Sequence, residues 1–126
     1  MPPRTATTAE RLLDHPKPAE IRLEAVMHAC SDPMRLHIIQ ELASGPVPAC
    51  GVIGLTCSKS TATHHFRVLR EAGVISQHYE GTAKITELRR ADLDTIFPGL
   101  LDTLLASAAA QSARTSRARR RTSRRS

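Results

Sequence analysis

Apolar residues recur with a helical period through most of this chain, and the one stretch where they alternate lies between two helices. Leu23, Val26, Met27 and Cys30 fall at i, i+3, i+4 and i+7, which predicts a helix over Ala19–Cys30. Before it, Met1–Thr8 is expected to be disordered. A turn of helix over Glu10–Asp14 is broken by Pro16 and Pro18, and Pro18 suits a helix's first turn. Asp32-Pro33 pairs an N-cap carboxylate with a proline at the first position and predicts a helix over Pro33–Ala43. Its buried side is Leu36, Ile38, Ile39 and Leu42; Ser44-Gly45-Pro46 stops it and Pro48 extends the loop. Cys50–Thr56, with Gly51 and Gly54, reads as a weak helix of one or two turns. Ser58 then caps a long helix, Lys59–Ala72, whose inner residues are Ala62, Phe66, Leu69 and Ala72 with Val68 alongside, and Gly73 ends it.

After Gly73 the period changes to two. Val74–Tyr79 reads as a strand, Glu80–Thr82 as a turn and Ala83–Leu88 as a second strand. A last helix begins at Asp92 and carries Leu93, Ile96, Phe97, Leu100, Leu101, Leu104 and Leu105, with Pro98 placed to kink or divide it. From Gln111 onward the chain is Ser/Arg-rich with no apolar face, so it is expected not to fold. The fold class is mainly α with a small β-hairpin. Short helix, tight turn, long capped helix and hairpin make a winged helix-turn-helix in the order α-α-α-α-β-β-α. The organisation follows: residues 1–18 a loosely ordered or disordered arm, 19–110 the folded domain, 111–126 a disordered arginine-rich tail.

Composition narrows the function. The 126 residues are enough for one hydrophobic core. Only Phe66, Tyr79 and Phe97 are aromatic, which argues against the base-stacking platforms of RNA-recognition sheets and OB-folds, and against a lipocalin-like barrel. No apolar run reaches about 18 residues, so no membrane span is expected, and the polar N-terminal stretch carries no signal segment, so the expected location is cytoplasmic. The net charge of +6 is unevenly placed. Arg114, Arg117, Arg119, Arg120, Arg121, Arg124 and Arg125 lie in the tail with no acid among them, leaving 11 basic and 12 acidic residues elsewhere. A basic end on a neutral body reads either as an electrostatic arm making sequence-independent phosphate contacts or as a solubilising end.

Two stretches carry a resemblance. Asp32-Pro33-Met34-Arg35-Leu36 opening a helix, and the run Ser58-Lys59-Ser60-Thr61-Ala62-Thr63-His64-His65-Phe66-Arg67-Val68-Leu69-Arg70-Glu71-Ala72-Gly73-Val74-Ile75, are similar to the ArsR/SmtB family of bacterial winged-helix repressors. The resemblance covers about Glu20 to Leu105. It implies a homodimer that binds double-stranded operator DNA and releases it when an effector binds or modifies the protein. A two-fold dimer implies a pseudo-palindromic operator. It also implies a metal, metalloid or thiol-redox effector, the common inducers of that family.

The residues support a DNA reading on their own terms. A recognition helix buries one face and offers short polar or basic side chains on the other; Lys59, Ser60, Thr61, Thr63, His64 and Arg67 are such a set. The plainer alternative is a solvated face of a helical bundle. His65, beside Phe66, is expected to turn inward. In the wing, Lys84 is the best candidate for a phosphate contact by charge, with Gln77, His78 and Arg89 behind it, unless they are only the wet side of a hairpin. The leucine-rich last helix and the helix near Leu23–Cys30 offer the apolar surface expected of a dimer interface.

For the effector, the cysteines decide. The Cys-x-Cys pair of metal sensors in the resembled family is absent: Pro48-Ala49-Cys50-Gly51 has one thiol, and Cys57 follows seven residues later. The last helix carries Asp92, Asp94 and Asp102 but no histidine, so the second metal site known in that family is expected to be missing. Cys50 and Cys57 remain the sensing candidates, for oxidation or for a thiophilic metal ion, with no cofactor required otherwise. Cys57 would sit at the positive end of the recognition helix, where a thiolate is stabilised; alternatively it is a small buried hydrophobe. Seven helical residues span about 10.5 Å, whereas bridged cysteine Cα atoms sit within about 7 Å, so a Cys50–Cys57 disulfide requires a non-helical segment or its unwinding. Cys30 is expected in the core or at a dimer face; His28 and His37 are assigned no ligand role. Nothing in the sequence assembles an enzyme's nucleophile and base, so the competing function is an effector-independent architectural or nucleoid-type DNA-binding protein.

Overall fold

Asp32 and Pro33 do open a helix. In the computed structural model, which describes residues 14–48 and 58–125, the Asp32 carboxylate accepts from the backbone N–H groups of Met34 (2.8 Å) and Arg35 (3.1 Å). Two of the four donors a helix start leaves orphaned are thereby satisfied. This helix, α2, spans Pro33–Leu42. Before it lie a single 3₁₀ turn, Pro18–Glu20, and α1, Leu23–Ala29. The helix expected over Ala19–Cys30 is thus shorter, because Ile21 and Arg22 are extended and drop the Ile21 side chain into the core. Val47–Pro48, expected to be loop, forms a two-residue strand β1. Helix α3 covers Lys59–Ala72, the hairpin strands are β2 (Ile75–Glu80) and β3 (Ala83–Leu88), and α4 (Arg90–Ile96) and α5 (Leu100–Arg125) follow.

The sheet order is β1-β3-β2, all antiparallel. Glu80 pairs with Ala83 across a two-residue loop. Gly81, at φ +63°, takes the first central position, where a II′ hairpin turn favours glycine. Ile38, Ile39, Leu69, Ile75, Leu93, Leu101, Val26 and Val74 are fully buried, so α1 to α5 and β2 all feed one core. Leu101 therefore belongs to the chain's own interior and is not surface left over for a partner. Leu23 and Met27 of α1 are exposed, at 42% and 57%.

Pro98 divides the last helix. Gly99 has φ +80°, and α4 and α5 meet at a bend of 111°. The larger departure follows. The segment from Gln111 was expected to be disordered, yet α5 continues as helix to Arg125. The Ala/Arg-rich stretch lacks an apolar stripe, but it also lacks glycine and proline, and Ala and Arg are strong helix formers, so nothing stops a helix already anchored at Leu101. At the other end, residues 14–17, expected to be loose, are tied to the sheet. His15 Nε2 accepts from the Gln77 N–H (2.9 Å), and Arg89 donates to the Pro16 carbonyl (2.7 Å). The expected turn of helix over Glu10–Asp14 and the short helix over Cys50–Thr56 lie outside the described residues, apart from Asp14. No single helix among the described residues is long and apolar enough to cross a membrane.

Gly73 ends α3 at φ +88°, and a Cβ there would meet Ile21 Cγ1 at 2.5 Å and Cδ1 at 2.7 Å. At Gly81 a Cβ would meet nothing within 4 Å. Gly81→Ala should cost only the left-handed backbone penalty of about 1–2 kcal/mol. Gly73→Ala should cost more, because buried Ile21 must also move. Thermal or urea unfolding of the two variants gives the comparison; equal losses would mean that Ile21 yields freely.

Candidate nucleic-acid interface

Helix α3 has two faces of opposite chemistry. His65, Phe66, Leu69 and Ala72 are buried, while Lys59, Ser60, Thr61, Thr63, His64 and Arg67 are all exposed. Six of the seven DNA-contact candidates thus share one helix and point outward. At its start, Ser58 Oγ accepts from the Thr61 N–H (3.2 Å), donates to Thr61 Oγ1 (2.8 Å) and lies 3.2 Å from Ser60 Oγ. One turn on, Thr63 Oγ1 donates to the Lys59 carbonyl (3.0 Å). These bonds hold short hydroxyls in place while leaving acceptor lone pairs outward.

Behind this face lies a buried polar bolt that joins three segments. Arg35, buried in α2, donates through Nε to the Ala29 carbonyl of α1 (2.6 Å) and through a terminal nitrogen to His65 Nδ1 of α3 (3.1 Å). An arginine only donates, so His65 Nδ1 accepts and the ring proton belongs on Nε2, which faces the Asp32 carboxylate at 4.0 Å. Burial alone would raise the Asp32 carboxyl. The backbone N–H donors of Arg35 and Met34, with the nearby His65 ring and the Arg35 charge, outweigh it and hold that carboxyl below its ordinary range. His65 was expected to face inward and does; its partner Arg35 was not foreseen.

A second polar cluster fixes the wing. Gln77 and Thr86 are opposite one another on β2 and β3 and both buried. Gln77 Nε2 donates to Thr86 Oγ1 (3.0 Å), and Arg70 of α3 donates to Gln77 Oε1 (2.8 Å). Gln77, expected as a candidate phosphate contact, is instead an internal strut. Arg89, the other such candidate, is also spent inside: its guanidinium pairs with Asp92 (3.0 Å) as well as with Pro16. His78 lies 3.2 Å from Glu80. Lys84 is half-buried, with Nζ 5.8 Å from the centroid of the Tyr79 ring, a cation–π arrangement that orders its stem.

Cys30 is a free thiol in the core; burial pushes it up to about 11, against the pull of the Arg35 charge. Cys50 and Cys57 lie outside the described residues. Asp102 pairs with Arg90 (2.8 Å), and no group of three or more His, Cys, Asp or Glu among the described residues is placed to hold a metal ion.

No family model matches the chain. Over 82 residues, 63% of the chain and 82% of the relative, it is 40% identical to an uncharacterized HTH-type transcriptional regulator, YceK, of Bacillus subtilis (strain 168). Its fold is similar to a crystal structure of an ArsR family transcriptional regulator, with TM-score 0.55 and 18% identity over 64% of this chain and 90% of that one. It is also similar to a crystal structure of a possible transcriptional regulator for arsenical resistance, with TM-score 0.53 and 24% identity over 71% of this chain and 97% of that one.

Asp32 both caps α2 and faces His65, so Asp32→Ala should destabilise the protein by about 0.5–2 kcal/mol at pH 7. A carboxyl held below its ordinary value stabilises the fold above that value and loses the contribution as pH falls through its lowered one. The gap between parent and variant in urea unfolding should therefore shrink below about pH 4. A gap that persists unchanged to pH 2 would show that the loss is not carried by the carboxylate.

Proposed function

Because this chain belongs to the helix-turn-helix family of transcriptional regulators and has the fold of ArsR-family members, we propose that it is a dimeric, sequence-specific DNA-binding repressor whose release is triggered at its thiols. The observation that carries the DNA reading is the outward face of α3, with Lys59, Ser60, Thr61, Thr63, His64 and Arg67 exposed together on a helix bolted from behind. Arg67 suits a guanine edge or a phosphate, and the hydroxyls suit base edges or phosphate oxygens. Lys84 adds a wing contact to the backbone. Homodimerisation is supported by the exposed Leu23 and Met27 of α1, one helical turn apart. Leu101, in contrast, fills the protomer's own core.

Thiol sensing at Cys50 and Cys57 is supported by chemistry and by elimination. Cys30, buried and held protonated, is poorly suited to react. Cys57 directly precedes Ser58, whose hydroxyl caps the DNA-reading helix, so a bond formed at that sulfur has the shortest covalent route to the interface. A soft metal ion would use the same two thiols. Arsenite, a thiophilic species, is a natural first inducer to test, since one structural neighbour is a possible regulator for arsenical resistance.

Arg67→Ala or Thr63→Ala should weaken operator binding by about 1–3 kcal/mol without loss of thermal stability. The assay compares a selected operator with scrambled duplex at equal salt; equal affinity for both would favour an architectural DNA-binding protein. Cys57→Ser should bind operator but no longer release it on treatment with diamide, arsenite, zinc or cadmium, while Cys30→Ser should still respond. Cys50→Ser should lose the response if a bridge or shared metal is the signal. A release that survives all three substitutions would place the effector elsewhere.

A further inference from the structure

The last helix runs on past the body of the protein. In α5, Leu101 and Ala108 are buried, but every described side chain from Ala109 to Thr122 is exposed. From Ala109 to Arg125 the helix runs about 25 Å at 1.5 Å per residue. Arg114, Arg117, Arg120 and Arg121 lie within an arc of about 120° at 100° per residue, roughly opposite the side on which Leu101, Leu104, Leu105 and Ala108 meet the body. Arg119 alone among the described arginines points to the other side. No acid follows Asp102 in the sequence. Arg114/Arg117, Arg117/Arg120 and Arg117/Arg121 are like-charge neighbours at i,i+3 and i,i+4, which weaken an isolated helix. This face has no acidic partner within its own stretch of helix.

We propose that the exposed arginine face of α5 is a second DNA-binding surface, which grips the phosphate backbone flanking the operator as a one-sided helical arm. The occupant follows from charge and length. Four guanidiniums with no local counter-charge suit a polyanion. An arm of about 25 Å covers most of one helical turn of duplex, about 34 Å. Duplex DNA is the polyanion that α3 already brings to the molecule. The inference rests on the DNA-binding reading above, and it adds a sequence-independent contact with a defined face.

The test uses the full chain and a duplex selected by this protein from a randomised library, taken in long form and trimmed to about 20 base pairs, two half-sites. Affinity is measured against salt. The parent should prefer the long duplex. R117Q should flatten the slope of log K against log salt by about 0.9, and R117Q/R121Q by about twice that. R119Q, with the same charge change on the other side, should leave slope and preference intact. A118P keeps every charge but breaks the helix, and should abolish the preference for the long duplex. Circular dichroism at 222 nm should show less helix for A118P than for the parent.

Equal effects of R117Q and R119Q, or an unaltered A118P, would overturn the one-sided arm in favour of a charged tail without a face. A parent with no preference for the long duplex would overturn the contact itself. Stronger arm-dependent binding to single-stranded RNA than to long duplex would make the partner RNA and overturn the proposal as well. Loss of operator preference over scrambled duplex, with the arm effect intact on both, would count against the operator reading alone.

Discussion

The buried guanidinium of Arg35 is the constraint on which the exposed face of α3 depends. A charge removed from water is tolerated only when its donors are satisfied, and here the satisfaction comes from two other helices, the Ala29 carbonyl of α1 and the His65 ring of α3. Apolar packing would let α3 slide or rotate by small amounts at modest cost. Directional bonds in a low-dielectric interior fix its rotation, and with it the direction in which Thr63, His64 and Arg67 point. At the other end of α3, the Arg70–Gln77–Thr86 chain sets the wing against the same helix. Reading helix and wing are thus one unit, held at both ends by polar contacts and along the middle by Phe66 and Leu69.

This arrangement bears on how a signal could reach DNA. Cys30 is sealed beside the Arg35 bolt, where burial keeps it protonated. Cys57 precedes in the sequence Ser58, whose exposed hydroxyl caps α3. A modification before Ser58 need only disturb a surface cap, whereas moving the other end of α3 would mean breaking the core.

Much of the fold was legible because its signals are local. Asp32-Pro33, Ser58 and Gly73 mark helix ends by the chemistry of orphaned N–H and C=O groups, and the change of period after Gly73 marks the hairpin. The exposed set on α3 was legible for the same reason, since a 3.6-residue period alone separates Arg67 from Phe66. What escaped was non-local. Nothing within a few residues of Gln77 or Arg89 tells that one will face Thr86 inside a sheet, or that the other will close on Pro16, 73 residues away. Arg35 and His65 are 30 residues apart. The tail differs for another reason: it has no apolar face to signal structure, yet a helix already nucleated by packing at Leu101 can propagate through good helix formers.

The route of α5 out of the core has a consequence for how this protein can vary. Residues 109–113 are exposed, and by ordinary surface logic insertions and deletions there would be harmless. A helix, however, carries angular memory. One added residue turns everything beyond it by about 100°, swinging Arg114, Arg117, Arg120 and Arg121 out of phase with the side anchored by Leu101 and Ala108, though no charge and no buried contact changes. Seven added residues restore the phase to within about 20° and lengthen the reach by about 10 Å. The exposed segment thus sets both the distance and the direction of the arginines relative to the body.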